Sequence, residues 1–206
     1  MQTFKQFGSG SVLYVFDIDE TLFHTTAKIH VVDSSGKVIQ KLNNQQFNDH
    51  ELRSGETYDF SEFRDAAKFN AESSPVMNML VNLNRVHDKI KLNLTPGSKI
   101  ILNTARSDFN DKDTFLHTFR KHGVDIDDIH VYRSGNIHGD ELPAVKKLVV
   151  IRDHLKTGKY AQVHMYDDSA TNLSHFMNLR DEFSHIRFFA WRVSHAGEAK
   201  LFKNSG

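Results

Sequence analysis

"VLYVFDIDETLFH", residues Val12 to His24, sets five apolar side chains directly ahead of Asp17, Asp19 and Glu20. A run with no polar alternation suits a strand covered on both faces, as in a parallel sheet flanked by helices. Such a strand running straight into three carboxylates needs a chemical reason, because buried charge is costly unless something balances it.

Four further runs share its character: "SKIILN" from Ser98, "DIHVY" from Asp128, "AQVHMY" from Ala161 and "HIRFFAW" from His185. Between them lie segments with helical spacing. "NDKDTFLHTFRKHG" offers Asp111 and Asp113 near a start, Phe115, Leu116 and Phe119 on one face, and Gly123 past the end. "LPAVKKLVVIRDHLKTG" begins at Pro143, spaces Val145, Leu148, Ile151 and Leu155 along one face and closes at Gly158. "SATNLSHFMNLRDEF" carries a hydroxyl cap and an apolar face of Leu173, Phe176 and Leu179. Strand and helix in alternation predict an α/β fold, a Rossmann-like parallel sheet flanked by helices, with all five runs in one sheet.

Residues 25–74 break this rhythm and read as an insertion on a single domain spanning 1–206. "KIHVVDSSGKVIQKL", from Lys28 to Leu42, reads as a hairpin turning at Ser34, Ser35 and Gly36. The polar tract after it predicts one short helix over Ser61 to Phe69, and Pro75 opens a longer helix back to the core.

Composition excludes more than it identifies. The 206 residues suit one α/β domain, and 26 basic side chains balance 26 acidic ones, so no overall positive field draws the chain to nucleic acid or membrane. The absence of cysteine removes disulfides, thiolate metal sites and thiol nucleophiles. No run has the length of a secretory signal or membrane span, and the expectation is a cytoplasmic protein with no membrane contact. The 13 histidines lack the HExxH spacing of zinc hydrolases, and His164, inside a strand, reads as core or packing.

In an open α/β sheet, ligands bind beyond the carboxyl ends of the strands. There the sequence places Asp17 and Asp19 after the first run, Asn103, Thr104 and Arg106 after the second, and Asp167 and Asp168 after the fourth. Carboxylates gathered at one edge resist joint ionisation, and a hard divalent ion with oxygen ligands, Mg²⁺, is their natural neutraliser. Asp17 and Asp19, on alternate positions, can divide the labour of nucleophile and proton carrier. Thr21 can orient that pair. Arg106 reads equally as a surface partner of Asp108 and as a grip on the substrate's non-reacting part.

These residues resemble a known family. "DIDET" fits the DxDxT signature of the haloacid dehalogenase superfamily of phosphohydrolases, "ILNTARSD" is similar to its second motif, and "VHMYDD" to its fourth. The third motif, a lysine near the start of the preceding helix, falls on Lys146 or Lys147. Helical phase leans to Lys147, with Lys146 as the alternative contact to substrate. The resemblance implies a Mg²⁺-dependent phosphatase in which Asp17 forms an aspartyl-phosphate and Asp19 protonates the leaving group. It implies that Asp17, the backbone carbonyl of Asp19 and Asp167 hold the metal, with Asp168 either bound to it or just behind its ligands, and that Thr104 and a lysine bind the phosphoryl group. It further implies that the insertion is a small cap, leaving an open site for a phosphomonoester such as a nucleotide or a 3′-phosphorylated nucleic-acid end. The rivals are a non-catalytic binding module that keeps the fold, and a phosphotransferase.

Overall fold

A computed structural model describes residues 10–139 and 141–204. Its central sheet has six strands: β1 (Val12–Phe16), β7 (Lys99–Thr104), β8 (His130–Arg133), β9 (Gln162–Asp167), β10 (Arg187–Val193) and β11 (Ala199–Asn204), in the order β11-β10-β9-β1-β7-β8. The first five are parallel, and β11 runs antiparallel to β10. The protein is thus mixed α/β, with a mostly parallel sheet between helices.

Burial on both sides of β1 explains its unbroken apolar run. Leu13 and Val15 face one core with Ile101, Val163, Met165, Phe188 and Ala190. Phe16 faces the other with Ile100, Leu102 and Tyr166. Full burial of each such side chain stabilises the fold by about 1.5–3 kcal/mol, so a charge in place of Val15, which has no exposed surface, would break the centre of the sheet.

Helices α3 (Met77–Lys91) and α4 (Lys112–Arg120) cover the Phe16 face, while α5 (Pro143–Leu155) and α6 (Ala170–Asn178) cover the Leu13 face. Asp111 caps α4 through hydrogen bonds from the backbone N–H groups of Asp113 and Thr114, and Ser169 caps α6. After β1 the chain builds β7 and β8 on one side, then returns to lay β9 and β10 on the other. The reversal at β1 leaves a crevice at the carboxyl ends of β1, β7 and β9, where such folds hold ligands.

Residues 25–74 leave and return at one place, because β2 (Phe23–His24) pairs with β6 (Ser74–Pro75). Within the insertion, β3 (Ile29–Val32) pairs with β4 (Val38–Leu42) as the expected hairpin, and Gly36 takes the left-handed conformation its turn requires, at φ 83°. It also pairs with a strand that was not expected, β5 (Thr57–Asp59). Ala27, Ile29, Val31, Leu42 and Phe63 form a small core there, and a short helix, α1 (Asn44–Asn48), follows β4.

Four expectations need correction. The helix expected over Ser61 to Phe69 is split: a 3₁₀ turn occupies Ser61–Arg64 and α2 runs Ala66–Glu72, because the Asp65 side chain caps a new start by accepting from the N–H of Lys68. Pro75 does not open α3; it pairs with Phe23, and the helix begins two residues later. In α5 the buried stripe is Ala144, Lys147, Leu148, Ile151 and Leu155, with Val145 only half-buried. Finally, β11 adds an edge strand beyond the five expected.

Candidate metal centre

The backbone N–H of Asp17 donates to the carbonyl of Tyr166 at 3.0 Å, so the β1–β9 ladder carries one residue past the strand and fixes the first acid. The chain then turns at once: the N–H groups of Leu22 and Phe23 both donate to the Ile18 carbonyl, at 2.9 and 3.0 Å. Asp17 is therefore held by the ladder, while Asp19 lies within this turn.

Asp17 and Asp167 are buried, 5 % and 0 % exposed, and Lys147 lies between them. Its Nζ donates to Asp17 Oδ1 at 2.7 Å and to Asp167 Oδ2 at 2.9 Å. Lys147 is itself 2 % exposed, whereas Lys146 is half-buried on the next face of the helix. The side chain of Asn103 helps set this placement by donating to the Lys147 carbonyl at 3.0 Å, which ties α5 to β7.

Ligand oxygens of Asp17, Asp167 and Asp168 lie within 4.8 Å of one another. Asp167 is anchored from α6: Asn172 Nδ2 donates to both its oxygens, at 2.9 and 3.1 Å, and the Ser169 N–H donates to Oδ1 at 2.9 Å. Asp168 is only part-buried and faces the crevice with fewer ties. Three acids thus meet one ammonium. Burial pushes the Asp17 carboxyl well above the usual range; Lys147 opposes that, and Asp167, Asp19 and Asp168 add to it. Burial, then Asp167, raises Asp168 to about 7. Burial alone would pull Lys147 down, but Asp167 and Asp17 overcome it and hold the ammonium above its ordinary range. A cluster that resists losing its protons for want of positive charge, with oxygen donors only, fits a hard divalent cation.

Arg106 has a setting that neither reading from sequence foresaw. It is 3 % exposed, and Asp108 pairs instead with Arg133 at 3.0 Å, so the expected surface pair is corrected. Its Nη2 and Nε donate to Asp19 Oδ1 and Oδ2 at 2.6 and 3.0 Å. Nη1 donates to the Phe63 carbonyl at 2.8 Å, Nη2 also reaches Thr25 Oγ1 at 3.2 Å, and the guanidinium packs on the rings of Phe63 and Phe69. Each of the three nitrogens is thus engaged inside the protein, which commits the guanidinium to Asp19, Thr25 and Phe63.

Thr104, fully buried, accepts from the Arg106 N–H at 3.1 Å and lies 3.5 Å from Asp19 Oδ2. The turn after β8 braces this loop: Ser134 Oγ donates to the Thr104 carbonyl at 2.8 Å. Gly135 sits so close that a Cβ would lie 2.7 Å from the Arg106 carbonyl carbon. Thr21 also differs from expectation. Its hydroxyl accepts from the Asp168 N–H at 3.1 Å, so its hydrogen bond positions the end of β9 rather than the Asp17 and Asp19 carboxylates it was expected to orient.

Asn103 was expected at this edge from its place at the end of β7, whereas Asn172 and Ser134 were not singled out from sequence as parts of this site. Only Asn172 left a local signal, three residues after the cap Ser169 on the first turn of α6. No protein-family model, curated protein or solved structure matches the chain.

Proposed function

We propose that the protein is a Mg²⁺-dependent phosphomonoester hydrolase of the haloacid dehalogenase type, acting through an aspartyl-phosphate on Asp17. One observation carries the reading: the Lys147 ammonium lies between Asp17 and Asp167, at 2.7 and 2.9 Å, beside an acid cluster still short of positive charge. This is the arrangement expected where an anionic nucleophile must meet an anionic phosphoryl group.

Asp17, Asp167, Asp168 and the backbone carbonyl of Asp19 would hold Mg²⁺, which when bound neutralises phosphoryl oxygens and lets anion approach anion. The remaining work belongs to the chain. Lys147 takes Asp17 Oδ1, which leaves Oδ2 to attack phosphorus. As the bond from phosphorus to the leaving oxygen breaks, Asp19 supplies that oxygen's proton. Asp19 then takes a proton from water, whose oxygen attacks phosphorus and breaks the acyl-phosphate bond, restoring Asp17 and releasing inorganic phosphate. Thr104, at the end of β7, offers a hydroxyl to the phosphoryl group, and Lys147 stabilises its developing charge. Asp167, tied to Asn172 and Ser169, is a fixed wall of the site. Residues 25–74 act as a small cap.

A nucleotide or a 3′-phosphorylated strand end is the substrate class we favour. The balanced net charge favours a small substrate or a strand end over a tight grip on duplex.

The test is a panel of aryl phosphates, mononucleotides and 3′-phosphorylated oligonucleotides, assayed with Mg²⁺ and with chelator. Hydrolysis is expected with Mg²⁺ only, and Asp17→Asn is expected to abolish it. Normal turnover by Asp17→Asn would refute the nucleophile, and inertness toward the whole panel would favour a binding module that retains the fold.

A further inference from the structure

We propose that Glu20, His24 and His195 form a second metal site, separate from the carboxylate cluster and suited to a borderline transition ion such as Zn²⁺. A ligand atom from each lies within 4.8 Å of the others. The three are brought together by the fold: Glu20 from the turn after β1, His24 from β2, and His195 from the connection between β10 and β11.

Each partner is held before any ion arrives. Glu20 adopts φ 57°, a left-handed conformation that non-glycine residues seldom take, and its Oε1 accepts from the Thr25 N–H at 3.1 Å. Its Oε2 meets His24 Nδ1 at 2.8 Å, and His24 is fixed by the pairing of β2 with β6. The imidazoles of His24 and His195 lie 4.1 Å apart, centre to centre. The turn that carries His195 is closed by hydrogen bonds between Ser194 and Glu198 and between Gly197 and Ser194, and Asn78 Nδ2 donates to the Ala196 carbonyl at 3.2 Å. Glu20 and His24 are part-buried and His195 is exposed, so an ion can enter from solvent.

The donor chemistry separates this site from its neighbour. Two imidazole nitrogens and one carboxylate oxygen select Zn²⁺, Co²⁺ or Ni²⁺, whereas the three aspartates select Mg²⁺. Three protein ligands also leave a coordination position open to water or an anionic ligand. The inference stands on this geometry and does not depend on phosphatase activity.

Calorimetric titration of the full chain with Zn²⁺ in excess Mg²⁺, which keeps the carboxylate cluster filled, tests it. One Zn²⁺ per chain is expected, weakened at least about 10- to 100-fold in His24→Ala and in His195→Ala, and unaltered in Asp168→Asn. No Zn²⁺ uptake by the wild-type chain, wild-type affinity retained in both histidine variants, or a loss confined to Asp168→Asn would overturn the proposal. His195 lies on an exposed turn, so His195→Ala is the variant most certain to fold, and circular dichroism verifies it. With Co²⁺ in place of Zn²⁺, the visible absorption of a nitrogen-ligated ion is expected in the wild type and absent in His195→Ala; its retention would count against the site.

Discussion

Arg106 binds Asp19 with a two-pronged fork while its third nitrogen and its flat face engage the insertion through Phe63 and Phe69. It therefore acts on chemistry through Asp19, as a positioning residue. Arg106→Lys keeps the charge and loses the fork and the stacking. It should lower kcat by roughly 10- to 100-fold with little change in KM, since a misplaced proton carrier harms the transition state more than substrate binding. A rise in KM at constant kcat would restore the substrate grip considered from sequence. His164 supplies a different test. Burial, with help from Arg187, lowers its pKa to about 4, and Trp191 Nε1 donates to its Nδ1 at 3.1 Å, an arrangement that needs the neutral ring. The unfolded chain takes up this proton first as pH falls, so the stability contributed is complete above about pH 6.5 and is lost toward pH 4. Between pH 7 and pH 5 the loss should be about 2 kcal/mol, and His164→Gln should show a correspondingly flatter dependence in denaturant titrations. Equal slopes would contradict the assignment.

At the scale of elements, helix α5 discriminates between adjacent lysines by phase alone. Lys147 shares the buried stripe with Ala144, Leu148 and Ile151, while Lys146 is turned about a hundred degrees away. Lys147→Ala should reduce kcat by roughly 10²- to 10³-fold, and Lys146→Ala should stay within about twofold. Phosphatase rates for the two variants decide this, and comparable losses would undo the assignment. Without Mg²⁺, Lys147→Ala should also lose about 3–5 kcal/mol of stability, because Asp17 and Asp167 would lose their buried counter-charge. The five parallel strands were legible in the sequence because four are local apolar runs buried in the sheet, and the fifth, the half-buried edge strand β8, carries β-branched and aromatic residues. Four strands were not legible, and two of them, β2 and β6, are two-residue pairs too short to carry a pattern. β11, "AKLFKN", is an exposed edge with two lysines and too little apolar pattern to register, and β5 is three residues made a strand only by pairing with β3. The same division runs through the site. Strand ends announce Asp17, Thr104 and Asp167, whereas the burial of Arg106 depends on Asp19, 87 residues away, and on an insertion with no clear period.

For the molecule as a whole, two cores on opposite faces of one sheet hold β1, β7 and β9 rigid at the edge where the acids meet. That rigidity stores unbalanced charge, and binding of a cation should be read out as stability. At a hundredfold excess over its Kd, Mg²⁺ should stabilise the fold by about 2.7 kcal/mol, or roughly 5–10 °C in Tm. Asp168→Asn should remove most of that shift, and an equal shift in the variant would place the ion elsewhere. With no matching family to lean on, the spatial claim is best tested by locating the ion itself. A crystal soaked in Mn²⁺ as an anomalous stand-in for Mg²⁺ should show a peak bounded by oxygens of Asp17, Asp167 and Asp168, with Lys147 still bonded to the first two. A crystal with no density at that point, the three carboxylates turned apart, would contradict the account.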